Sequence, residues 1–221
     1  TRWKLYVPNI WHLRNTNSDV SQSPSPADMT TTTNISSYEA GGDSQCVTAA
    51  MKLTAMGSGS RTGFSNYINS LTPNGNTYHD VGMTWGARLI SPSGLFASEN
   101  ATAPNGSAIS RHIIFMTDGE MYPNTGILSF QGHERLHQRV GGGTTDWNEL
   151  VRRHNRRFLE ACSAAKARNI TVWVVGFGTA LTNELRACAS GDKAYQANNS
   201  AQLRQQFQSI AQQITRLRLS E

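Results

Sequence analysis

The stretch ITVWVVGF at residues 170–177 constrains the fold more than any other part of the chain. Apolar residues occupy both of its alternating faces, which is typical of a central strand that is buried on both sides in a parallel sheet. Asn169 before it and Gly178 after it suit the two ends of a strand. Such a strand needs parallel neighbours and covering helices, so the sequence predicts an α/β fold.

Strand-like and helix-like patterns alternate over the rest of the chain. The predicted strands are CVTAAMKLT (46–54), HIIFMTD (112–118) and a short piece near KAYQA (193–197), and the predicted helices cover 59–73, 81–90, a segment starting at Thr145 or Asp146, and the carboxyl-terminal stretch. Glu149 stands three residues after Asp146, as in a capping box. The alternation predicts an open, mostly parallel sheet with helices on both faces, in the Rossmann-like class.

Two of the predicted helices carry an apolar stripe at helical spacing. The stripe of the helix after Asp146 consists of Val151, Phe158, Leu159, Cys162 and Ala165, and that of the last helix of Leu203, Phe207, Ile210, Ala211, Ile214 and Leu217. These residues are the candidate helical part of the core.

Composition separates a polar amino-terminal part from a folded part. Residues 15–45 are rich in Ser, Thr, Asn and Pro and have almost no large apolar residue, so we assign 1–45 to a loop-rich segment or insertion and 46–221 to the domain. The net charge of +5 comes from arginines scattered among apolar helix positions, which indicates a solvated helix face rather than a nucleic-acid surface. No apolar run approaches the ~20 residues that span a bilayer.

Asp118 follows the apolar residues of HIIFMTD directly, at the carboxyl end of a predicted strand. Ligands bind beyond the carboxyl ends of strands in open α/β sheets, although Asp-Gly is also a common turn pair. Thr77 stands in a Gly-Asn turn before a helix, where it could face the same crevice or cap the helix. A carboxylate and a hydroxyl from separate loops are suitable ligands for Mg²⁺.

The residues at this point resemble a known family. FMTDGE, the GNT turn and ITVWVVGFG together resemble the von Willebrand factor type A domain, whose metal-ion-dependent adhesion site uses a D-x-S-x-S motif, a Thr from a second loop and an Asp from a third. More narrowly, GNTYHDVGMTWGARLISPSGLF, AKARNITVWVVGFG, LRACAS and FQSIAQQITRLRLS resemble the carboxyl-terminal half of TadG-like proteins of tight-adherence (Flp-type) pilus assembly. The resemblance covers about residues 46 to 220.

The resemblance implies a function and a location. Thr77 would be the second-loop ligand and Asp118 the third-loop ligand of Mg²⁺ or Mn²⁺, and the ion would accept a carboxylate from a protein partner. TadG-like proteins carry an amino-terminal membrane anchor and an extracytoplasmic A domain. We therefore expect a noncatalytic adhesion or scaffolding domain of the bacterial cell envelope, which contacts the membrane only through a segment upstream and whose partner is a pilus or envelope component.

The letters of D-x-S-x-S occur once, as Asp19, Ser21 and Ser23. A ligand loop of this type follows a buried strand and opens a helix, whereas this copy follows HLRNTNS and runs into two prolines. We interpret it as a chance match, with a true ligand loop as the alternative. On this interpretation the first strand, the first helix and the first ligand loop of the fold lie upstream of Thr1.

The three cysteines are Cys46, Cys162 and Cys188, so at least one has no intramolecular partner. A buried thiol is one reading for each of them. The oxidising space that the TadG resemblance implies favours a disulfide instead. Within that resemblance we choose Cys162 and Cys188 as the pair, and Cys46 could pair with a cysteine outside this sequence.

A metal-dependent hydrolase is the alternative class of function. It could use Asp118 in a similar sheet, or it could be a zinc peptidase, since HERLH at 133–137 matches H-E-x-x-H by letter. In that pattern His133 and His137 bind zinc and Glu134 is the base. The short space between SFQG and RVGGG leaves little room for the required helix, and we favour the adhesion reading.

Overall fold

The computed structural model describes residues 48–73, 76–103, 106–124, 128–129, 132–134, 138–144 and 146–219. They fall into two compact units. The first consists of the described residues up to Asn76 together with Pro123–Arg153, and the second of Thr77–Tyr122 together with His154–Glu221. The expected amino-terminal segment, residues 1–45, lies outside the described residues.

The secondary structure is mixed. In chain order, the helices are α1 (Arg61–Ser70), α2 (His79–Ile90), α3 (Ala97–Asn100), α4 (Trp147–Lys166), α5 (Asn183–Cys188) and α6 (Ser200–Leu219), and the strands are β1 (Arg111–Thr117), β2 (Leu128–Ser129), β3 (Gly132–His133), β4 (Ile170–Phe177) and β5 (Ala194–Ala197). A single 3₁₀ turn, Ser58–Ser60, precedes α1. None of the described helices is both long enough and apolar enough to cross a membrane.

The sheet of the second unit is parallel and has the order β1-β4-β5. Strand β4 is its centre, because it pairs with β1 on one side and with β5 on the other. Five of its residues in succession, Val172 to Gly176, are buried. The prediction of an α/β fold with an open parallel sheet is therefore confirmed, and the uninterrupted apolar run of β4 is explained by burial on both faces.

Helices cover both faces of this sheet. On one face Phe115 lies 5.1 Å from the ring of Phe158 in α4, and a Cβ on Gly82 of α2 would lie 3.6 Å from the Phe115 ring. On the opposite face Trp173 and Val175 form a fully buried cluster with Ile210 of α6. Because side chains alternate along a strand, each strand contributes apolar groups to both layers.

The second face is covered unevenly. Met116 pairs in register with Val175, and Ile114 with Trp173, so the four side chains lie side by side on that face. Helix α6 buries Trp173 and Val175 completely, whereas Met116 is 51% exposed and Ile114 is 38% exposed. Strand β1 thus presents an apolar strip beside the layer that α6 covers.

Helix α4 begins at Trp147, close to the predicted start, but its cap and its buried face differ from the prediction. The Asp146 carboxylate accepts a hydrogen bond from the Asn148 N–H at 2.9 Å, whereas the Asp146 N–H donates to the Thr144 hydroxyl rather than to Glu149. Glu149 instead bonds Arg152 and Arg153, whose guanidinium groups lower its pKa to about 2. The expected capping box is therefore only half formed.

The buried face of α4 is rotated by one residue at its amino end from the predicted one. Leu150 and His154 are 1% and 2% exposed, and Val151 is half-buried. Phe158, Cys162 and Ala165 are buried as expected. Spacing by four residues from Leu150 to Cys162 keeps this stripe on one side of the helix. Because histidine is a polar residue, His154 was not included in the predicted apolar stripe.

One predicted strand in the first unit is wrong. Residues 48–57 form no strand, and Leu53 and Met56 are about half exposed. The Tyr67 hydroxyl of α1 receives the Met51 N–H at 2.9 Å and donates to the Ala49 carbonyl at 3.1 Å. These side-chain contacts replace the ladder of hydrogen bonds that a strand would need. In the same unit β2 and β3 form a short antiparallel pair.

A disulfide joins Cys162 of α4 to Cys188 at the end of α5. The two Cα atoms are 5.2 Å apart and both residues are fully buried. This is the pair that we chose on the basis of the TadG resemblance. Cys46 lies outside the described residues.

Candidate metal site

The candidate site lies at the carboxyl end of β1. Thr117, the last residue of the strand, is buried, and Asp118 after it is exposed. The Thr117 hydroxyl forms the local turn, because it donates to the Gly119 carbonyl at 3.0 Å and approaches the Gly119 N–H at 3.3 Å. The turn thus uses the Thr117 hydroxyl and leaves the Asp118 side chain at the surface, where a ligand could reach it.

The loop that carries Thr77 is fastened to this turn at two points. The Thr77 carbonyl accepts a hydrogen bond from the Tyr122 N–H at 3.0 Å, in a single β-bridge. His79 Nε2 lies 3.1 Å from the Thr117 hydroxyl oxygen. Since that hydroxyl donates to Gly119, His79 is the donor in this contact and its proton is on Nε2. The loop that carries Thr77 therefore lies against the chain that follows β1.

Thr77 does not cap the helix that follows it. Helix α2 begins at His79, its N-cap residue is Tyr78, and no side chain caps it. Within the described part of the chain, no hydrogen bond engages the Thr77 hydroxyl or the Asp118 carboxylate. Thr77 therefore does not cap α2, and the turn after β1 is formed by the Thr117 hydroxyl rather than by the Asp118 carboxylate.

The buried carboxylate of Asp80 holds the helix that follows the Thr77 loop. Asp80, in the first turn of α2, is 1% exposed, and its Oδ2 lies 2.9 Å from Nδ1 of His154 in α4. Arg157 Nε is 3.5 Å from the same oxygen. Asp80 Oδ1 is buried without a hydrogen-bond partner among the described residues. This paired carboxylate ties the start of α2 to α4 and holds the loop three residues before it.

His79 is buried in an aromatic environment. Its ring meets Phe115 edge-on at 5.5 Å and lies 5.5 Å from the Phe158 ring. Burial lowers the pKa of His79 below its usual 6.5, although the Gly119 backbone and Asp80 oppose that shift. The imidazole is therefore neutral at neutral pH, which agrees with a single proton on Nε2 that is donated to Thr117.

Sequence reasoning proposed Thr77 and Asp118 but did not identify three residues that hold the Thr77 loop and α2 in place, His79, Asp80 and His154. The polar pair His79-Asp80 at the start of an apolar helix was one available signal. The other was a histidine four residues from Leu150 and four from Phe158, on the side of α4 that faces the core.

Of the zinc pattern HERLH, the structure describes only His133 and Glu134. His133 ends strand β3 and His137 lies outside the described residues. Glu134 is 7% exposed, and its carboxylate accepts hydrogen bonds from the N–H groups of Val140 at 3.2 Å and Gly141 at 2.5 Å. A carboxylate held in this way closes the glycine-rich loop before α4, which is a structural role.

Asp19, Ser21 and Ser23 lie outside the described residues. Across the described ranges, no group of three or more His, Cys, Asp or Glu side chains is arranged to hold a metal ion. Comparison with protein-family models, with curated proteins and with solved structures finds no match for the chain.

Proposed function

We propose that this chain is a von Willebrand factor A-type domain that binds a protein partner through a divalent metal ion held by Asp118 and Thr77. The observation that supports the proposal is the state of these two side chains. They stand on loops that hydrogen bonds join at the end of a parallel strand, Thr77 does not cap the helix after it, and Thr117 rather than Asp118 forms the turn after the strand. The metal is Mg²⁺, with Mn²⁺ as its substitute.

The chemistry of the two ligands fits a small hard cation. Mg²⁺ takes oxygen ligands in octahedral geometry and keeps several waters when few protein groups bind it. A carboxylate and a hydroxyl leave coordination positions that water or a partner's carboxylate can fill. Adhesion of this kind needs no nucleophile or general base, and the proposed role is noncatalytic.

The TadG resemblance supplies the proposed setting. In this setting the domain acts as an adhesion or scaffolding module in pilus assembly, on the outer side of the bacterial cytoplasmic membrane. The buried disulfide between Cys162 and Cys188 is compatible with an oxidising compartment.

Calorimetric titration with Mg²⁺ and Mn²⁺ tests the metal proposal. Two protein oxygens compensate poorly for the water that the cation loses, so we expect one site with a Kd on the order of millimolar. Asp118→Ala should abolish binding, and Glu120→Ala, which removes the neighbouring exposed acid, should leave it unchanged. Asp19→Ala should have no effect if DVSQS is a chance match. Binding that survives Asp118→Ala would refute the site.

The pilus role needs a cellular test. In the bacterium that carries this gene, Asp118→Ala should reduce surface pili without lowering the amount of the protein, and Glu120→Ala should leave both unchanged. Normal piliation in the Asp118 variant would contradict a metal-dependent role in assembly.

A further inference from the structure

A cavity in the second unit lies at the opposite end of the parallel strands from Asp118, which follows the carboxyl end of β1. Its volume is about 580 Å³, and it is lined by the last turns of α2 and α4, by the loop 91–95 and by Ile170, the first residue of β4. Ala165 and Ile170, which are 1% and 2% exposed, are the most deeply buried lining residues. The base of the cavity is therefore apolar.

Leu95 lines the mouth of this cavity and is 78% exposed, more than any other large apolar residue in the described part of the chain. A single exposed leucine is common on protein surfaces. The wall beside Leu95, however, includes the small residues Ala87, Ala161 and Ala164, which leave space that larger side chains would fill. The surface thus carries a protruding apolar side chain next to an apolar cavity that is large enough to hold one.

Two residues of opposite charge flank Ala164 on α4. Glu160 precedes it by four residues and Arg168 follows it by four, so each lies about 6 Å from Ala164 along the helix axis. Backbone hydrogen bonds from the Ala167 and Arg168 N–H groups continue the helical turn past the end of α4. Glu160 has no hydrogen bond or ion pair with the described residues, and Arg168 bonds only the Ala164 carbonyl, at 2.9 Å.

This arrangement of charges is its own complement about a two-fold axis. When two copies of α4 lie antiparallel with their Ala164 residues at the crossing, Glu160 of each copy faces Arg168 of the other. Small residues at the crossing let the two helices approach closely. Leu95 and Ala164 line the same cavity, so the same rotation brings Leu95 of one copy toward the cavity of the other. A parallel arrangement would instead place like charges together.

We propose that this surface is an interface between two copies of the chain, in which Leu95 of each copy enters the cavity of the other and Glu160 pairs with Arg168. The proposal goes beyond the metal site and does not depend on it. Burial of the apolar groups supplies most of the affinity, because exposed ion pairs contribute little, and the two ion pairs determine the antiparallel direction. One helix and one loop per copy form a small interface, so we expect a Kd on the order of 30 µM.

Sedimentation equilibrium of the full chain tests the dimer. The average mass should rise from that of a monomer toward that of a dimer between about 3 and 300 µM protein. Leu95→Ser should weaken association at least about tenfold, because it removes the apolar group that enters the cavity. Leu53→Ser is the matched control, since Leu53 is 51% exposed in the first unit, and it should change nothing. Both residues are exposed, so neither variant should shift the thermal midpoint.

Exchange of the two charges tests the antiparallel pairing. Glu160→Arg and Arg168→Glu should each weaken association about tenfold, because each replaces two attractive contacts of the dimer by two repulsive ones. The double variant restores both contacts with the signs exchanged, and its Kd should return to within about threefold of the original. Arg204→Glu reverses an exposed charge on α6, away from the cavity, and should leave association unchanged.

Three outcomes would overturn the proposal. A monomer at every concentration would show that a second copy does not occupy the cavity. A dimer that Leu95→Ser leaves unchanged would be formed by another surface. A double charge variant that associates no more tightly than the two single variants would contradict the pairing of Glu160 with Arg168.

Discussion

At the scale of single residues, the site rests on buried polar groups that are not themselves ligands. Asp80 and His154 are almost fully buried and bonded to each other, and His79 joins the Thr77 loop to the turn after β1. A buried charge is tolerated only when it is paired, so these contacts define one arrangement of the two loops. The loop that carries Thr77 and the turn that carries Asp118 depend on these contacts for their positions.

His154→Ala should destabilise the protein strongly, since it removes the nearer, buried partner of the Asp80 carboxylate and leaves the exposed Arg157 guanidinium at 3.5 Å. We expect a loss of about 3 kcal/mol in the free energy of unfolding, measured by urea denaturation. Arg157→Gln is the comparison, because Arg157 is 47% exposed and 3.5 Å away, and it should cost less than about 1 kcal/mol. Equal costs for the two variants would contradict the assigned pairing.

Stability should fall in acid partly because of His79. Burial lowers its folded-state pKa below 6.5, so the unfolded chain takes up a proton first as the pH falls. The contribution of His79 to the free energy of unfolding is thus constant above about pH 6.5. Below that pH it decreases, by at most about 1.4 kcal/mol per pH unit. His79→Gln keeps a donor for Thr117 and should flatten this part of the curve in thermal unfolding from pH 7.5 to 5. An unchanged slope would refute the role of His79.

At the scale of elements, the strands and the longer helices of the second unit followed from sequence patterns, because burial and periodicity agree there, whereas the short helices α3 and α5 were not predicted. The apolar runs of β1 and β4 could be read directly, and α2 ends before Ser91 and Pro92 as expected. The segment 46–54 has a similar apolar content, but its described part contacts the Tyr67 hydroxyl instead of a strand. Such a distant side-chain contact leaves no periodic signal in the sequence.

On the sheet face that packs against α6, shortening a β4 side chain should destabilise the protein more than shortening its neighbour on β1. Val175→Ala removes fully buried methyl groups and should cost about 2 kcal/mol in the free energy of unfolding. Met116→Ala, at the register partner that is 51% exposed, should cost less than about 1 kcal/mol despite the larger side chain. Similar losses in the free energy of unfolding for the two variants would imply that another element buries Met116 in solution.

At the scale of the whole molecule, the class of fold was predictable and the division into two units was not. The helix Trp147–Lys166 continues without a break through the residue where one unit ends and the other begins. A local pattern cannot reveal that boundary, since it depends on which distant residues pack together. Likewise, the positions of Asp118 after a strand and of Thr77 before a helix were predictable, whereas the pairing of Asp80 with His154, 74 residues apart, was not.

The disulfide should contribute to the stability of the whole domain. It closes a loop between residues separated by 26 positions, and loop-closure entropy gives it about 3.5 kcal/mol. Nonreducing peptide mapping of protein made in an oxidising compartment should recover Cys162 joined to Cys188, and the Cys188→Ser variant should unfold at lower urea concentration. Free thiols at both positions in that material would contradict the assignment.

Paramagnetic broadening by Mn²⁺ in NMR tests whether Thr77 and Asp118 share one metal ion, as proposed. Because broadening falls steeply with distance from the ion, substoichiometric Mn²⁺ locates even a weak site. We expect the amide signals of Thr77 and Asp118 to broaden first and together. Mg²⁺ in excess should reverse this, and Asp118→Ala should prevent it while Glu120→Ala does not. Broadening at Asp118 without Thr77, or at both residues in the Asp118 variant, would contradict the shared site.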